Sequence, residues 1–374
     1  MWREREKERR LNLVQPKINT FYIQAARGAA VLLVMLFHAS MVGLRYFNID
    51  YLGISGMGQS GAYTFFFVLT GYLMYTLYNR HFGNEQAAWP FLLKRFGRIF
   101  PVYWLVNAAI IPLYFLVPSF GFGYERQLPV IVKSLLLFPQ SHAPILGVAW
   151  SLSYIVFFYI MFSFLFLSKG KLVASVYSSW LTIIVLKSIG LINVKNGVLE
   201  QFLFSELHRQ FFVGVLVAYV AKKRSLPGRG IWWILASCVI YAVLWAARTQ
   251  IQNLPHVELL HTIGSGVLLI GIVTLKGQGS RLLKPLIACG NASYSILLLS
   301  LPAMSITFKL ARTLKLDQSI GAFATVTLCA VGGLLLCLLF YRWIERPYNE
   351  YMRRSIQTKA LGVNDYPAPA EPAR

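Results

Sequence analysis

Apolar runs near twenty residues long recur along the chain, broken by short basic or turn-forming stretches. They fall at about 21–44, 61–79, 99–117, 146–168, 173–193, 204–221, 231–248, 257–275, 286–308 and 319–341. Each is close to the length a helix needs to cross about 30 Å of hydrocarbon. The pattern predicts an all-α integral membrane protein with about ten transmembrane helices. The fifth and sixth runs are the most interrupted, by Lys187 and by His208-Arg209. No internal repeat is visible. The strongly charged opening, MWREREKERR, is followed by an apolar run too long for a signal-peptide core, which therefore reads as a retained anchor. The expected organisation is a basic segment over 1–20, a membrane domain over 21–350 and a tail over 351–374. That tail is polar and rich in Pro and Ala from about 355, a composition expected to stay disordered.

Composition sharpens this picture. Of 374 residues, 56% are hydrophobic and 13% charged, about half the charged share of a soluble domain. Spans and short loops use up the length and leave no room for a separate soluble domain. The net charge of +22 invites nucleic-acid binding, but the basic residues sit mainly in short loops between apolar runs. Membrane topology and anionic headgroups account for that placement. With ten spans, 25 of the 36 Lys and Arg fall on the side of the termini and ten on the other, with Arg27 inside the membrane. This bias places both termini in the cytoplasm of a multi-pass cell-membrane protein. Cys238, Cys289, Cys329 and Cys337 all lie in apolar runs without metal-ligand spacing. They read as small core residues, with no disulfide framework and no metal site expected.

Candidate chemistry begins in the first run. Arg27 and His38 are eleven residues apart, about 20° past three helical turns, so they share one face about 16 Å apart along the axis. An ionisable residue inside a membrane is costly and marks a functional candidate. The alternative is that Arg27 snorkels to headgroups and His38 makes an interhelical hydrogen bond. Next, Arg95 and Arg98 stand one turn apart just before an apolar run, a spacing suited to gripping phosphate with forked guanidinium groups. Pro101 fits the first turn of the helix that follows. Positive-inside anchoring is the competing account of that pair. The Thr70-Gly71 step suits close helix packing. Trp150-Ser151-Leu152-Ser153-Tyr154 opens the fourth run, where it suits either an acceptor site or interfacial anchoring. Asn291 to Ser295 opens the ninth, and Glu345-Arg346-Pro347 closes the tenth. Glu345 is one of few acids there and is placed to orient an arginine.

Together these segments resemble the membrane-bound acyltransferase family 3, O-acyltransferases of surface glycans, over about residues 20–350. The family's Arg-x10-His is matched by Arg27 and His38, and its Arg-x-x-Arg-Ile-x-Pro-x-Tyr-Trp by Arg95 to Trp104. Its FFFxxSG segment is similar to Phe65 to Gly71, its WSLS to Trp150–Ser153, its ASYSI to Ala292–Ile296 and its Glu-Arg-Pro to Glu345–Pro347. Three positions depart from it. Ile155 and Val156 stand where a glutamate is usual, Ser300 where a histidine is frequent, and Thr64 where an aspartate is common. The resemblance implies an acyl-CoA donor, usually acetyl-CoA, as co-substrate, with no permanently bound cofactor. It implies donor binding by Arg95, Arg98 and Tyr103, and chemistry at His38 with Arg27. His38 would serve either as general base or as an acyl-carrying relay. Trp150, Ser151, Ser153, Tyr154, Glu345 and Arg346 would serve on the acceptor side or in a supporting role, and the acceptor is a hydroxyl of a polysaccharide or lipid-linked saccharide. The missing helix-four glutamate and the all-membrane composition raise the alternative of a glycan or lipid transporter or flippase.

Overall fold

The structure, a computed structural model, describes residues 20–359 apart from 56–60, 168–169, 195–196, 224–225, 227, 248–249, 251–256, 276 and 278. The basic segment before residue 20 and the tail after 359 lie outside the described residues. Among the described residues all regular structure is helical. The helices are α1 (Thr20–Phe47), α2 (Gly61–Tyr78), α3 (Ala88–Leu116), α4 (Leu128–Leu135), α5 (Trp150–Leu167), α6 (Lys171–Ser188), α7 (Val198–Leu203) and α8 (Leu207–Lys223). They continue with α9 (Gly230–Ala246), α10 (Val257–Thr274), α11 (Lys284–Asn291), α12 (Ser293–Thr313), α13 (Leu316–Ile320), α14 (Ala322–Phe340) and α15 (Arg346–Lys359). Six are long and apolar enough to cross a bilayer: α1, α3, α5, α10, α12, and α14 with its continuation. Helices α6 and α9 are shorter apolar helices. The outward surface carries many large apolar side chains, among them Leu33, Leu105, Phe164, Val239 and Leu335. A water-facing surface would not tolerate so much exposed apolar area, whereas lipid requires it.

Aromatic packing holds the centre. Phe211 of α8 stacks on Phe158 of α5 at 4.3 Å between ring centroids and on Phe67 of α2 at 4.9 Å. Phe91, Phe162 and Phe166 extend this cluster between α3 and α5. In lipid no hydrophobic force drives helices together, so close backbone approach matters more. A Cβ added at Gly71 would fall 2.0 Å from the Phe211 carbonyl oxygen, and one at Gly214 would fall 1.8 Å from that of Val68. The Thr70-Gly71 step thus serves packing, as its composition predicts. The same device joins α1 to α11: a Cβ at Gly28 would meet the Leu286 oxygen at 1.8 Å, and one at Gly290 the Gln24 oxygen at 2.0 Å. This seam fixes the helix that carries Arg27.

Several boundaries differ from the sequence reading. The third helix starts at Ala88, so Arg95 and Arg98 lie within it, and Pro101 is internal. Pro90 supplies the first-turn proline instead. Pro101 has no N–H for the carbonyl four residues back, and that carbonyl, Gly97 O, accepts from Tyr348 OH at 2.8 Å. The expected ninth span is broken at Ala292 into α11 and α12. The last span passes through a π-helical turn, Tyr341–Glu345, into α15. Residues 351–359, assigned to the disordered tail, therefore continue a helix. Cys289, Cys329 and Cys337 are buried, but Cys238 is exposed on α9.

Candidate functional site

The shared face of Arg27 and His38 is turned toward one neighbour, α12. Arg27 donates through Nη2 to Ser293 Oγ and through Nη1 to Gln24 Oε1 at 3.1 Å. His38 Nδ1 lies 2.8 Å from Ser300 Oγ. Ser293 and Ser300 are seven residues apart, about 20° short of two turns, so they too share a face. Ser300 is fully buried, and its hydroxyl donates to Leu297 O at 3.2 Å. With the hydroxyl proton on Leu297 O, Ser300 Oγ can accept from Nδ1–H, the tautomer that leaves the lone pair of His38 on Nε2.

At the α11–α12 break the residues Ser293-Tyr294-Ser295 tie three helices together. Ser293 receives Arg27 of α1, and Tyr294 OH donates to Ile99 O of α3 at 2.7 Å. Ser295 gives both its backbone N–H, at 3.0 Å, and its hydroxyl to Glu345 Oε2. The π turn adds a residue to the last helix and sets Glu345 inward, where it is 1% exposed. There its carboxylate caps the N-terminus of α12, which has no side-chain cap of its own. Asn349 Nδ2 donates to the other oxygen at 3.2 Å. Glu345 also lies within electrostatic reach of Arg98 and Arg27. It is the carboxyl group set toward that cationic end.

Arg95 is buried among aromatic faces, 5.2 Å from the Tyr78 ring centroid, 5.8 Å from Phe91 and 5.7 Å from Tyr159, and Nη2 donates to Tyr78 OH at 3.1 Å. Arg98, half-buried, lines a cavity of about 150 Å³ together with Arg27, Arg95, Tyr159, Ser293 and Tyr294. A second cavity of about 310 Å³ is lined by His38, Val34, Phe37, Met41, Trp150 and Leu301. Tyr63, Val148, Ser151 and Leu297 line both. The arginine cavity and the histidine cavity thus abut across a common wall of four residues.

The other predicted residues divide. Trp150 and Ser151 reach the site. Tyr103 is fully buried and donates to Ser134 O at 2.7 Å, away from both cavities, because five residues carry it about 140° round from Arg98. Ser153 is buried off the cavities, and Tyr154 packs against Phe202 at 4.4 Å and His208 at 5.2 Å. Arg346 points outward and pairs with Glu350 at 2.9 Å. Ile155 lines the first cavity as an apolar wall. Ser300 and Tyr63 were not expected here. Tyr63 OH donates to Glu258 Oε1 at 3.2 Å, which brings a carboxylate from α10 to the common wall.

The family model described as "Acyltransferase domain" (acyltransferase 3) matches residues 20–342. Among curated proteins, the chain is similar to the exopolysaccharide production protein ExoZ of Rhizobium meliloti (strain 1021). The two are 25% identical over 319 residues, covering 84% of this chain and 94% of that protein. No solved structure matches it.

Proposed function

The chain belongs to the acyltransferase 3 family, and from that premise we propose that it is a membrane O-acyltransferase moving an acetyl group from cytoplasmic acetyl-CoA to a hydroxyl of an exported polysaccharide. The proposed topology has about ten spans with both termini cytoplasmic, in the cell membrane. The arginine cavity then opens toward the cytoplasm and the His38 cavity toward the outside. The observation that carries the reading is the common wall between the two cavities. Acyl-CoA is a polyanion with a long, thin thioester arm. Arg98, with Arg27 and Arg95 behind it, offers charge-assisted hydrogen bonds to its phosphates. The wall of Tyr63, Val148, Ser151 and Leu297 marks the passage for the arm. The acceptor class is taken from the ExoZ protein, whose name describes exopolysaccharide production.

In this reading His38 Nε2 takes the proton of the acceptor hydroxyl while the hydroxyl oxygen attacks the thioester carbonyl. The C–S bond then breaks, the ester leaves toward the acceptor side, and the imidazolium returns its proton to the departing sulfur. Ser300 holds the ring through Nδ1 so that Nε2 keeps its lone pair. Ser300→Ala removes one buried hydrogen bond, about 1 kcal/mol. The expected result is a several-fold lower kcat with unchanged KM for acetyl-CoA, and recovery in Ser300→Thr. A raised KM at constant kcat would place Ser300 in donor binding instead.

The donor assignment has its own test. Arg98→Met removes charge-assisted contacts of about 1.5–3 kcal/mol, which weakens acetyl-CoA binding roughly ten- to hundredfold. Calorimetric titration of the purified protein in nanodiscs reads this directly. Full affinity in the variant would remove Arg98 from the donor site, and a wild-type protein that neither binds nor hydrolyses acetyl-CoA would favour transport.

A further inference from the structure

Arg45 lies seven residues beyond His38 on α1, on the same face and about 10 Å further along the axis. Met41, which lines the His38 cavity, stands between them. Lys309 of α12 is an electrostatic neighbour of Arg45, and its Nζ sits 3.3 Å above the Phe120 ring. The Arg312 guanidinium lies 5.9 Å from the Tyr46 ring centroid. Tyr46 and Phe47 pack on Phe308 at 6.0 and 5.8 Å, which locks the two helix ends together. Three cations are therefore gathered at the end of the bundle beyond His38.

Among the described residues, none of the three forms an ion pair. Two acids of the adjoining segments are engaged elsewhere. Asp50 accepts from Ser40 Oγ and Ser55 N–H, both at 2.9 Å, and Glu125 accepts from the N–H groups of Phe122 and Gly123 at 3.0 and 2.9 Å. Asp317 belongs to the short α13 next to a fourth cation, Lys315. Like charges held together without a counter-ion repel one another, and aromatic faces relieve only part of that cost. Such a cluster is complementary to an anion arriving from outside. The loop that carries Phe120 also sets out Phe122, 83% exposed, and stacks Tyr124 on His142 at 4.7 Å. These flat faces suit a sugar ring.

We infer that Arg45, Lys309 and Arg312 bind an anionic group of the acceptor glycan and hold it over the mouth of the His38 cavity. The inference rests on the acyl-transfer reading for the identity of the acceptor. The anionic group is either a carboxylate on the saccharide or a phosphate on a lipid carrier, and the test separates them.

The full-length protein in neutral-lipid nanodiscs is titrated with three probes: an oligogalacturonate, a neutral cello-oligosaccharide of equal length and a prenyl phosphate. Binding of oligogalacturonate that weakens with salt, and at least tenfold in Arg45→Glu or Lys309→Glu, is the expected result. Lys309→Gln, a milder change, gives an intermediate loss and guards against misfolding. Binding of prenyl phosphate alone, with the same dependence on these residues, also supports the site and assigns the charge to the lipid carrier. Equal binding of neutral and acidic probes, or affinities untouched by the three substitutions, overturns it. Acetyl-CoA titration of the same samples is the separate check. Anion binding at Arg45 and Lys309 without acetyl-CoA binding would sink the acyl-transfer reading and leave the anion site standing.

Discussion

His38→Ala abolishes acyl transfer while leaving the protein folded in the membrane. A positioned general base contributes about 10²–10⁴-fold, so the residual rate falls to the background of the assay. His38 is half-buried and its one described hydrogen bond is to Ser300, so its loss costs little packing. Two readings separate its roles. Ester content of the exported glycan and thiol release from acetyl-CoA should both vanish, while acetyl-CoA affinity stays within a factor of two or so of wild type. Undiminished esterification would remove His38 from the chemistry altogether. If instead the histidine carries the acyl group, rapid quenching of wild type with labelled donor traps the label on His38, and the Ala variant traps none.

Glu345→Ala has the second large effect, and it is on stability first. The carboxylate is 1% exposed and accepts two hydrogen bonds from Ser295 and one from Asn349. It also faces Arg27 and Arg98. Removing the acceptor leaves the buried N–H and hydroxyl of Ser295 without a partner, which costs about 1–3 kcal/mol for each unsatisfied group. The N-terminus of α12 loses its cap as well. A thermal midpoint lowered by several degrees in detergent, together with lost activity, is expected. Glu345→Gln keeps the shape and one acceptor oxygen, so it recovers part of the midpoint but not the charge balance. If the Ala variant unfolds at the wild-type temperature, Glu345 is not the cap that holds the start of α12.

Much of this arrangement was legible in the residues. The placing of Arg27 and His38 on one face followed from helical arithmetic, and both are turned to α12. The Arg95–Arg98 spacing was readable in the same way; Glu345 stood out only as one of few acids, because the π turn that sets it inward leaves no mark in the spacing. What was not readable is which face each helix turns inward once the hydrophobic pattern stops discriminating. Helix α5 is apolar all round, so Ser151 at the cavity and Ser153 off it look alike in sequence. Pro101 invited a helix start because proline suits a first turn. Tyr348, more than 240 residues away in the chain, meets the freed Gly97 carbonyl and lets the helix run through. Ser300 looked like the loss of a family histidine. A signal for its role did exist: Ser293 and Ser300 are two hydroxyls seven residues apart on one apolar helix, matching the polar face of α1.

The common wall between the cavities also bears on permeability. In the proposed topology the two cavities open toward opposite sides of the membrane, an arrangement that risks a leak for protons and ions. Three of the four wall residues, Tyr63, Val148 and Leu297, present largely apolar surface, and the Ser151 hydroxyl is already directed at Val148 O, 3.1 Å away. Apolar constrictions of pores block conduction by dewetting, and here the Tyr63 hydroxyl is tied to Glu258. The insulation that keeps the ion gradient intact and the passage for a thioester arm would then be the same four side chains.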